Sequence, residues 1–296
     1  MGAMTEQGVV VKPADPAREI GAEVVGVDLS QPLDAGCFKV IEDALQRYGA
    51  LWLRGQHWDD AQQKRFSHLW GEELDIHPFT QYGKPGHPEV FVLSNIRGDD
   101  GKSIGAEDAA QYWHTDLSYT RTPSRISILY SVEIPRAADG SPLGDTEFAS
   151  TRLAWEALPE DMKKRLEGLK AAHLAQKPKV GSSGFMKKLD DKVQERLDEV
   201  VHPIVRTHPH TGQKCLYVNH GFTTRIIGMP EAESDALLDE LYDYIVQPQF
   251  VHAHKWAPGD ILMWDNCSTI HQGVGNYKWP QRRLIYRTIV KGSVPF

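Results

Sequence analysis

Residues 250–290 read FVHAHKWAPGDILMWDNCSTIHQGVGNYKWPQRRLIYRTIV. The first seven, FVHAHKW (250–256), alternate apolar and polar side chains, as a strand with one wet face does. Pro258, Gly259 and Asp260 supply the residues of a tight turn. ILMW (261–264) is unbroken apolar sequence of strand length, which fits a strand buried on both faces. WDNCSTIHQGVGNY (264–277) turns after that strand, and RRLIYRTIV (282–290) is a last β-branched run. Short strands punctuated by Pro and Gly turns predict a β-rich barrel or jelly roll decorated by helices. Such folds hold their sites in the mouth of the barrel.

The flanking sequence extends this pattern. VVVKPADPAREIGAEVVGVDL (9–29) predicts strands and turns, and residues 33–55 predict a helix that runs into a strand over 50–53. DDAQQKRFSHLWG (59–71) predicts a helix with an Asp cap and a Gly stop, and VFVLS (90–94) a short strand. RLAWEALPEDMKKRLEGLKAAHLA (152–175) and MKKLDDKVQERLDEV (186–200) carry helical periodicity and many charges. We therefore expect one domain over residues 1–296 with a helical insert at about 151–200. KPKVGSSGF (177–185) is Gly/Ser-rich and reads equally as a lid over a site or as a linker. Residues 202–219 predict a hairpin, and MPEAESDALLDELYDYIV (229–246) an amphipathic helix able to add a contact between subunits.

Composition excludes several classes of function. Hydrophobic residues make up 41% and charged residues 25% of the chain, a globular balance, and the net charge is −7. Nucleic-acid and membrane-surface proteins usually carry a basic patch instead, so neither partner is expected. No apolar run approaches the roughly 20 residues that span a bilayer, and no signal peptide precedes the first strand. Cys37, Cys215 and Cys267 are sparse and scattered, with no CxxC pair, which argues against disulfides and thiolate zinc. The expected setting is reducing and cytoplasmic.

The chemistry centres on YWHTDLSYT (112–120). In a strand, residues i and i+2 share a face, so an extended chain would point His114 and Asp116 the same way. That is two thirds of a 2-His-1-carboxylate triad, the ligand set of non-haem Fe(II) oxygenases. Taken alone, such a pair is more often a hydrogen-bonded polar pair in a strand. His271, beyond a strand and a turn, is the best candidate for a third ligand, since neighbouring strands bring remote residues together. Three ligands on one face leave open positions on an octahedral metal. Arg283 and Arg287 are four apart in the last strand and share a face with Ile285 and Ile289. Buried Arg needs a partner, and each is suited to gripping a carboxylate, sulfonate or phosphate, or to pairing with Asp or Glu. His252 and His254 also share a face, but nothing near them in sequence supplies a carboxylate. His57, His68 and His87 read as surface groups, and His208 and His210 flank a turn.

His114-Thr115-Asp116, Gly144-Asp145-Thr146, Trp264-Asp265-Asn266 with His271, and Arg283 followed by Arg287 occur in the order found in the taurine dioxygenase/dichlorophenoxyacetate dioxygenase (TauD/TfdA) family. The chain resembles that family over most of its length, from IGAEVVGVDLSQPL through VVHPIVRTHPHTGQKCLYVNHGFTTRI (200–226) to RTIVKG. The resemblance implies a β-rich α+β fold, a double-stranded β-helix (jelly roll) core with flanking and inserted helices. It implies an Fe(II)- and 2-oxoglutarate-dependent dioxygenase that releases succinate and CO₂. His114, Asp116 and His271 would bind iron, and Thr146 and Arg283 the distal carboxylate of 2-oxoglutarate. His77, Arg287 and Phe222 match substrate-binding positions, with Arg287 on the acidic group. The partners implied are O₂ and a small anionic organic substrate, a sulfonate, sulfate ester or aryloxy or alkyl carboxylate, within a dimer or tetramer.

Departures from the family pattern suggest a pocket larger and less polar than one shaped for taurine. The expected His-Pro-x-Tyr is His77-Pro78-Phe79-Thr80, an expected asparagine is Ala110, and an expected aromatic is Ala175. An insertion, DGSPLGDTEF, widens the turn before Thr146, and Arg125 resembles the aryloxyacetate-type members. A biosynthetic hydroxylase of an amino-acid-like metabolite would share the same residues. A non-redox metal-binding barrel or zinc hydrolase would not need Thr146 and Arg283.

Overall fold

The structure, a computed structural model, describes residues 8–107, 111–175 and 198–296. Strands β1 (Val10–Pro13) and β2 (Ala22–Val25) form an antiparallel pair. Helix α1 (Ala35–Tyr48) follows, capped by the Asp34 carboxylate, which accepts the Cys37 N–H. Cys37, Ile41, Ala44, Leu45 and Tyr48 recur at helical spacing and form its buried stripe. It stops at Gly49, whose φ of 67° is left-handed and whose N–H returns to the Leu45 carbonyl. The chain then enters β3 (Ala50–Leu53), buried throughout. Helix α2 (Asp60–His68) begins on a reciprocal Asp59–Gln62 capping box and ends at His68, before the predicted Gly71 stop.

Strands β4 (Gly83–Lys84), β5 (His87–Ser94), β6 (Ser124–Glu133) and β7 (Thr146–Ser150) lead to α3 (Thr151–Ala157) and α4 (Glu160–Leu166). Then come β8 (Lys170–His173), β9 (Val200–Pro203), β10 (Val205–Thr207), β11 (Lys214–Leu216) and β12 (Thr223–Ile226). Helix α5 (Glu231–Ile245) precedes β13 (Val251–His254), β14 (Ile261–Asp265), β15 (Thr269–Gly273) and β16 (Leu284–Lys291). Eight strands form one sheet in the order β1-β2-β3-β14-β6-β16-β5-β4. A second sheet, β13-β7-β15, packs on it through Phe148, which clusters with Leu129, Leu262 and Trp264, and β12-β8-β9 and the β10-β11 hairpin form two further sheets. The chain is β-rich with flanking helices, as expected, and the C-terminal strands fall where the sequence places them.

Two expectations need correction. Residues 152–175 are not helical throughout. Pro159 separates α3 from α4, Gly168 (φ 77°) ends the helical run, and Lys170–His173 is a strand. Pairing of that strand on both sides buries Ala171, Ala172 and His173, and tertiary burial overrides the local helical preference of its alanines. The insert is therefore two short helices followed by a strand, as far as residue 175. The region 177–185, Ala110 and most of the 186–200 helix lie outside the described residues. The HTD stretch is likewise not a strand. His114 makes a single bridge to His271, and the chain turns from Asp116 onward, with Leu117 at a left-handed φ of 54°.

Candidate active site

Three elements bring the candidate ligands together. β15 pairs with β7 so that His271 lies opposite Phe148, and its far edge bridges His114 through two backbone hydrogen bonds of 2.9 and 2.8 Å. The His271 ring packs on Trp264 of the large sheet at 4.4 Å, which directs it into the space between the sheets. The left-handed turn at Leu117 follows directly and leaves Asp116 beside both imidazoles. His114 Nε2 is 3.6 Å from Asp116 Oδ1, and His271 Nε2 is 3.9 Å from Asp116 Oδ2. One ligand atom from each lies within 4.8 Å of the others, and all three residues are buried. The turn achieves the shared orientation that the sequence assigned to a strand.

Neighbouring groups fix protonation and orientation. His114 Nδ1 lies 2.9 Å from the Tyr112 carbonyl, which can only accept. Nδ1 therefore carries a proton, and Nε2 is the ring nitrogen that faces the cluster. Burial holds the His271 imidazole well below its usual range, so it is neutral and able to ligate. Burial alone would raise the Asp116 carboxyl, but the Arg287 guanidinium beside it holds it well below the usual carboxylate range. Ser127 Oγ donates to Asp116 Oδ2 at 2.6 Å, and Arg287 Nη1 to Oδ1 at 3.1 Å. Asn266 ties this together: its side-chain oxygen accepts the Asp116 N–H and the Trp264 indole N–H, and its amide donates to Ser127. Sequence reading missed Ser127 and gave Asn266 no role. The WDN motif contained Asn266, but nothing in the sequence points to Ser127.

A cavity of about 50 Å³ opens beside His271 and is lined by Thr146, Trp264, Tyr277, Arg283 and Arg287. Arg283 and Arg287 thus share a face, as the strand period required, despite a register shift at Leu284/Ile285. The opposite face of β16 packs on α2, where Thr288 and Ser67 hydroxyls meet at 2.7 Å. Thr146 accepts from the Trp256 indole, and Arg283 donates to the Tyr277 hydroxyl. The buried Nε atoms of Arg283 and Arg287 have no hydrogen-bond partner among the described residues.

The substrate candidates surround the same centre. Phe222 stands edge-on to His114 at 5.7 Å and clusters with Leu117, Tyr119 and Ile289, with Ala175 packed against the group. The His77 ring lies tilted against Phe91 at 4.3 Å between centroids, and the Arg287 guanidinium carbon lies 4.9 Å from that same ring. His77 and Arg287 are therefore joined through Phe91. Arg125 stands apart: it donates to the Trp70 carbonyl and pairs with Glu42.

Other histidine clusters are structural. His254 Nε2 is 3.1 Å from Asp260 Oδ2, so a carboxylate does stand beside this pair, supplied by the turn before β14. That carboxylate also accepts from Arg54 and the Ala257 N–H. His208, Asp265 and Cys267 also cluster. There His208 Nδ1 accepts two backbone N–H groups and Nε2 faces Asp265 Oδ2 at 2.6 Å, which leaves no lone pair for a metal. Cys37, Cys215 and Cys267 are all buried free thiols.

Comparison with known proteins follows the same lines. A family model described as "Taurine catabolism dioxygenase TauD, TfdA family" matches residues 11–289. An alpha-ketoglutarate-dependent sulfate ester dioxygenase of Pseudomonas putida is 32% identical over 288 residues, covering 94% of this chain and 89% of the relative. An alpha-ketoglutarate-dependent 2,4-dichlorophenoxyacetate dioxygenase of Cupriavidus pinatubonensis is 31% identical over 275 residues, covering 90% and 92%. The crystal structure of a taurine dioxygenase from Burkholderia xenovorans superposes with a TM-score of 0.80 at 31% identity, covering 97% and 90%.

Proposed function

Since the chain belongs to the taurine catabolism dioxygenase TauD, TfdA family, we propose that it hydroxylates a small organic anion held by Arg287. The chain is an α-ketoglutarate-dependent dioxygenase, and it uses Fe(II) and 2-oxoglutarate. The residues present fit both groups. Two imidazoles whose Nε2 atoms face a carboxylate held charged make a donor set suited to a divalent iron. A cavity bounded by His271 at one side, with a guanidinium whose Nε is orphaned and a threonine hydroxyl, suits a dianion that reaches from the metal to a fixed cation. That continuity from the triad to Arg283 is the observation that carries the proposal.

In this reading His114, Asp116 and His271 hold the metal, and Thr146 with Arg283 hold the distal carboxylate. Together Fe(II) and 2-oxoglutarate supply the redox chemistry, in which O₂ and the keto acid are consumed, succinate and CO₂ leave, and a substrate C–H becomes C–OH. The protein's own residues position and exclude. The Tyr112 carbonyl keeps the His114 proton on Nδ1, away from the metal. Ser127 holds one Asp116 oxygen and Arg287 the other, which fixes the carboxylate beside the two imidazoles. Arg287, fixed over Phe91, places the substrate's acidic group beside the metal, and its unpartnered Nε supports that role. Phe222, Leu117 and Tyr119 form an apolar wall that keeps water from the reacting carbon. Small Ala175 against this wall supports a substrate bulkier than taurine. The alternation of strands between the large sheet and β13-β7-β15 supports a double-stranded β-helix core.

Anaerobic addition of Fe(II) and 2-oxoglutarate to the metal-free protein tests the proposal. A weak charge-transfer band of the chelated keto acid is expected. It should shift on adding one class among alkyl sulfonates, alkyl sulfates and aryloxy-carboxylates. A folded protein that gives no band would overturn the metal assignment. A band that no anion perturbs would overturn the substrate assignment.

A further inference from the structure

Among the described residues, three with hydroxyls line the cavity; Ser94 spends its proton on the Arg283 carbonyl, while Thr146 and Tyr277 accept from groups that can only donate. The buried Trp256 indole donates to Thr146 Oγ1 at 3.1 Å. Arg283 Nη1 donates to the Tyr277 hydroxyl oxygen at 2.9 Å, and the guanidinium carbon lies 5.2 Å from the centre of the Tyr277 ring. An indole N–H and a guanidinium have no lone pair to offer in return. Each of these two hydroxyls therefore accepts from its neighbour and keeps its own proton to give. Among the described residues neither proton has an acceptor, and Arg283 Nε has none either. Thr146, Tyr277 and Arg283 line the same cavity.

The place of Tyr277 is built into the fold. Gly144 sits at a φ of 78°, where only glycine is unstrained. A Cβ there would lie 2.9 Å from the Tyr277 ring and 3.1 Å from Arg283 Nη1. The Gly144 N–H donates to Asn276, the neighbour of Tyr277, at 2.8 Å. The turn before Thr146 and the segment before Arg283 are thus locked together with the phenol between them.

We infer that this end of the cavity is a carboxylate socket, in which Tyr277 gives a third hydrogen bond beside Thr146 and Arg283, while the Glu107 carboxylate that also lines the cavity is held by Arg97. Trp256 is a positioning residue that turns the Thr146 proton into the cavity. The inference rests on the proposed role of Thr146 and Arg283 as the clamp for the distal carboxylate of 2-oxoglutarate. Its consequence is selectivity: three donors facing one group match a carboxylate and oppose an amide, whose NH₂ would meet them head on.

Anaerobic calorimetry of 2-oxoglutarate with the Mn(II)-loaded protein tests this without turnover. Tyr277→Phe should weaken binding about tenfold, the usual loss for one hydrogen bond to a charged group. Trp256→Phe should weaken it several-fold in the natural chain and not at all in a Thr146→Val background. In aerobic assays both variants should raise the 2-oxoglutarate KM and keep kcat at saturation. Unchanged binding by Tyr277→Phe overturns its assignment, and equal losses from Trp256→Phe in both backgrounds overturn the positioning role. The unsubstituted protein gives a further readout, since 2-oxoglutaramate should bind at least a hundredfold more weakly than 2-oxoglutarate, with a smaller gap in Tyr277→Phe. Equal affinity for the two overturns the socket. If Thr146→Val and Arg283→Lys both leave 2-oxoglutarate affinity unchanged, the clamp beneath the inference fails, and that outcome is distinct from failure of Tyr277 alone.

Discussion

His114 carries the sharpest expectation at the scale of single residues. Its Nε2 faces Asp116 and His271, while Nδ1 is anchored on a carbonyl. His114→Ala should abolish metal uptake and turnover and leave the fold intact, because β15 keeps its pairing with β7. Cobalt(II) absorption together with circular dichroism checks this, and retained turnover would remove His114 from the ligand set. Arg287 faces two ways. It pairs with Asp116 at 3.1 Å, and its Nε is left for another partner. Arg287→Ala should raise the substrate KM at least tenfold while 2-oxoglutarate is still consumed without hydroxylation. Loss of both substrate binding and 2-oxoglutarate decay would mean the residue serves Asp116 alone. The sequence named both residues because chemistry at close spacing is local information. It did not pair Arg287 with Asp116, since residues 171 positions apart meet only through the sheets.

The elements were unevenly legible. Helix α2 was readable from its cap: Asp59 accepts the Gln62 N–H and Gln62 returns a bond to Asp59. Asp59→Ala should cost about 1 kcal/mol of stability, measured as a shift in urea midpoint, because the first-turn N–H groups then lose their acceptor. The effect should reach the site only weakly, since α2 contacts β16 through Ser67 and Thr288, on the face away from Arg287. Residues 170–173 were not readable. Their alanines favour helix, and only the pairing of this segment with β9 and β12 makes a strand the better state. The HTD stretch shows the opposite case. The residues were identified correctly, but Leu117 sits in the left-handed region and replaces the expected strand with a turn. No glycine marks that turn, and its strain is held by the apolar packing of the Leu117 side chain.

At the scale of the whole molecule, the packed sheets bury groups that water would otherwise charge. Burial, then the neighbouring His254 and Arg18, push the His252 imidazole from its ordinary 6.5 down to about 4. Between those values the unfolded chain binds a proton that the folded chain refuses. This part of the stability is therefore fully present above about pH 6.5 and is lost as pH falls toward 4. Urea midpoints should drop over that window, and His252→Gln should make the drop shallower by up to one proton per molecule. An unchanged slope in the variant would mean that other groups carry the acid sensitivity. What the sequence determined by itself was the period of the C-terminal strands and the candidacy of His114, Asp116, His271, Arg283 and Arg287, to which family resemblance added Thr146. Both are properties of residue type and spacing, which a linear chain displays directly. Tertiary structure alone decided that Ser127 and Asn266 hold Asp116, that Arg287 leans on it, and that Trp256 meets Thr146 and Tyr277 meets Arg283. Hydrogen bonds form only within about 3 Å, and which remote atoms come that close is set by strand register and sheet packing.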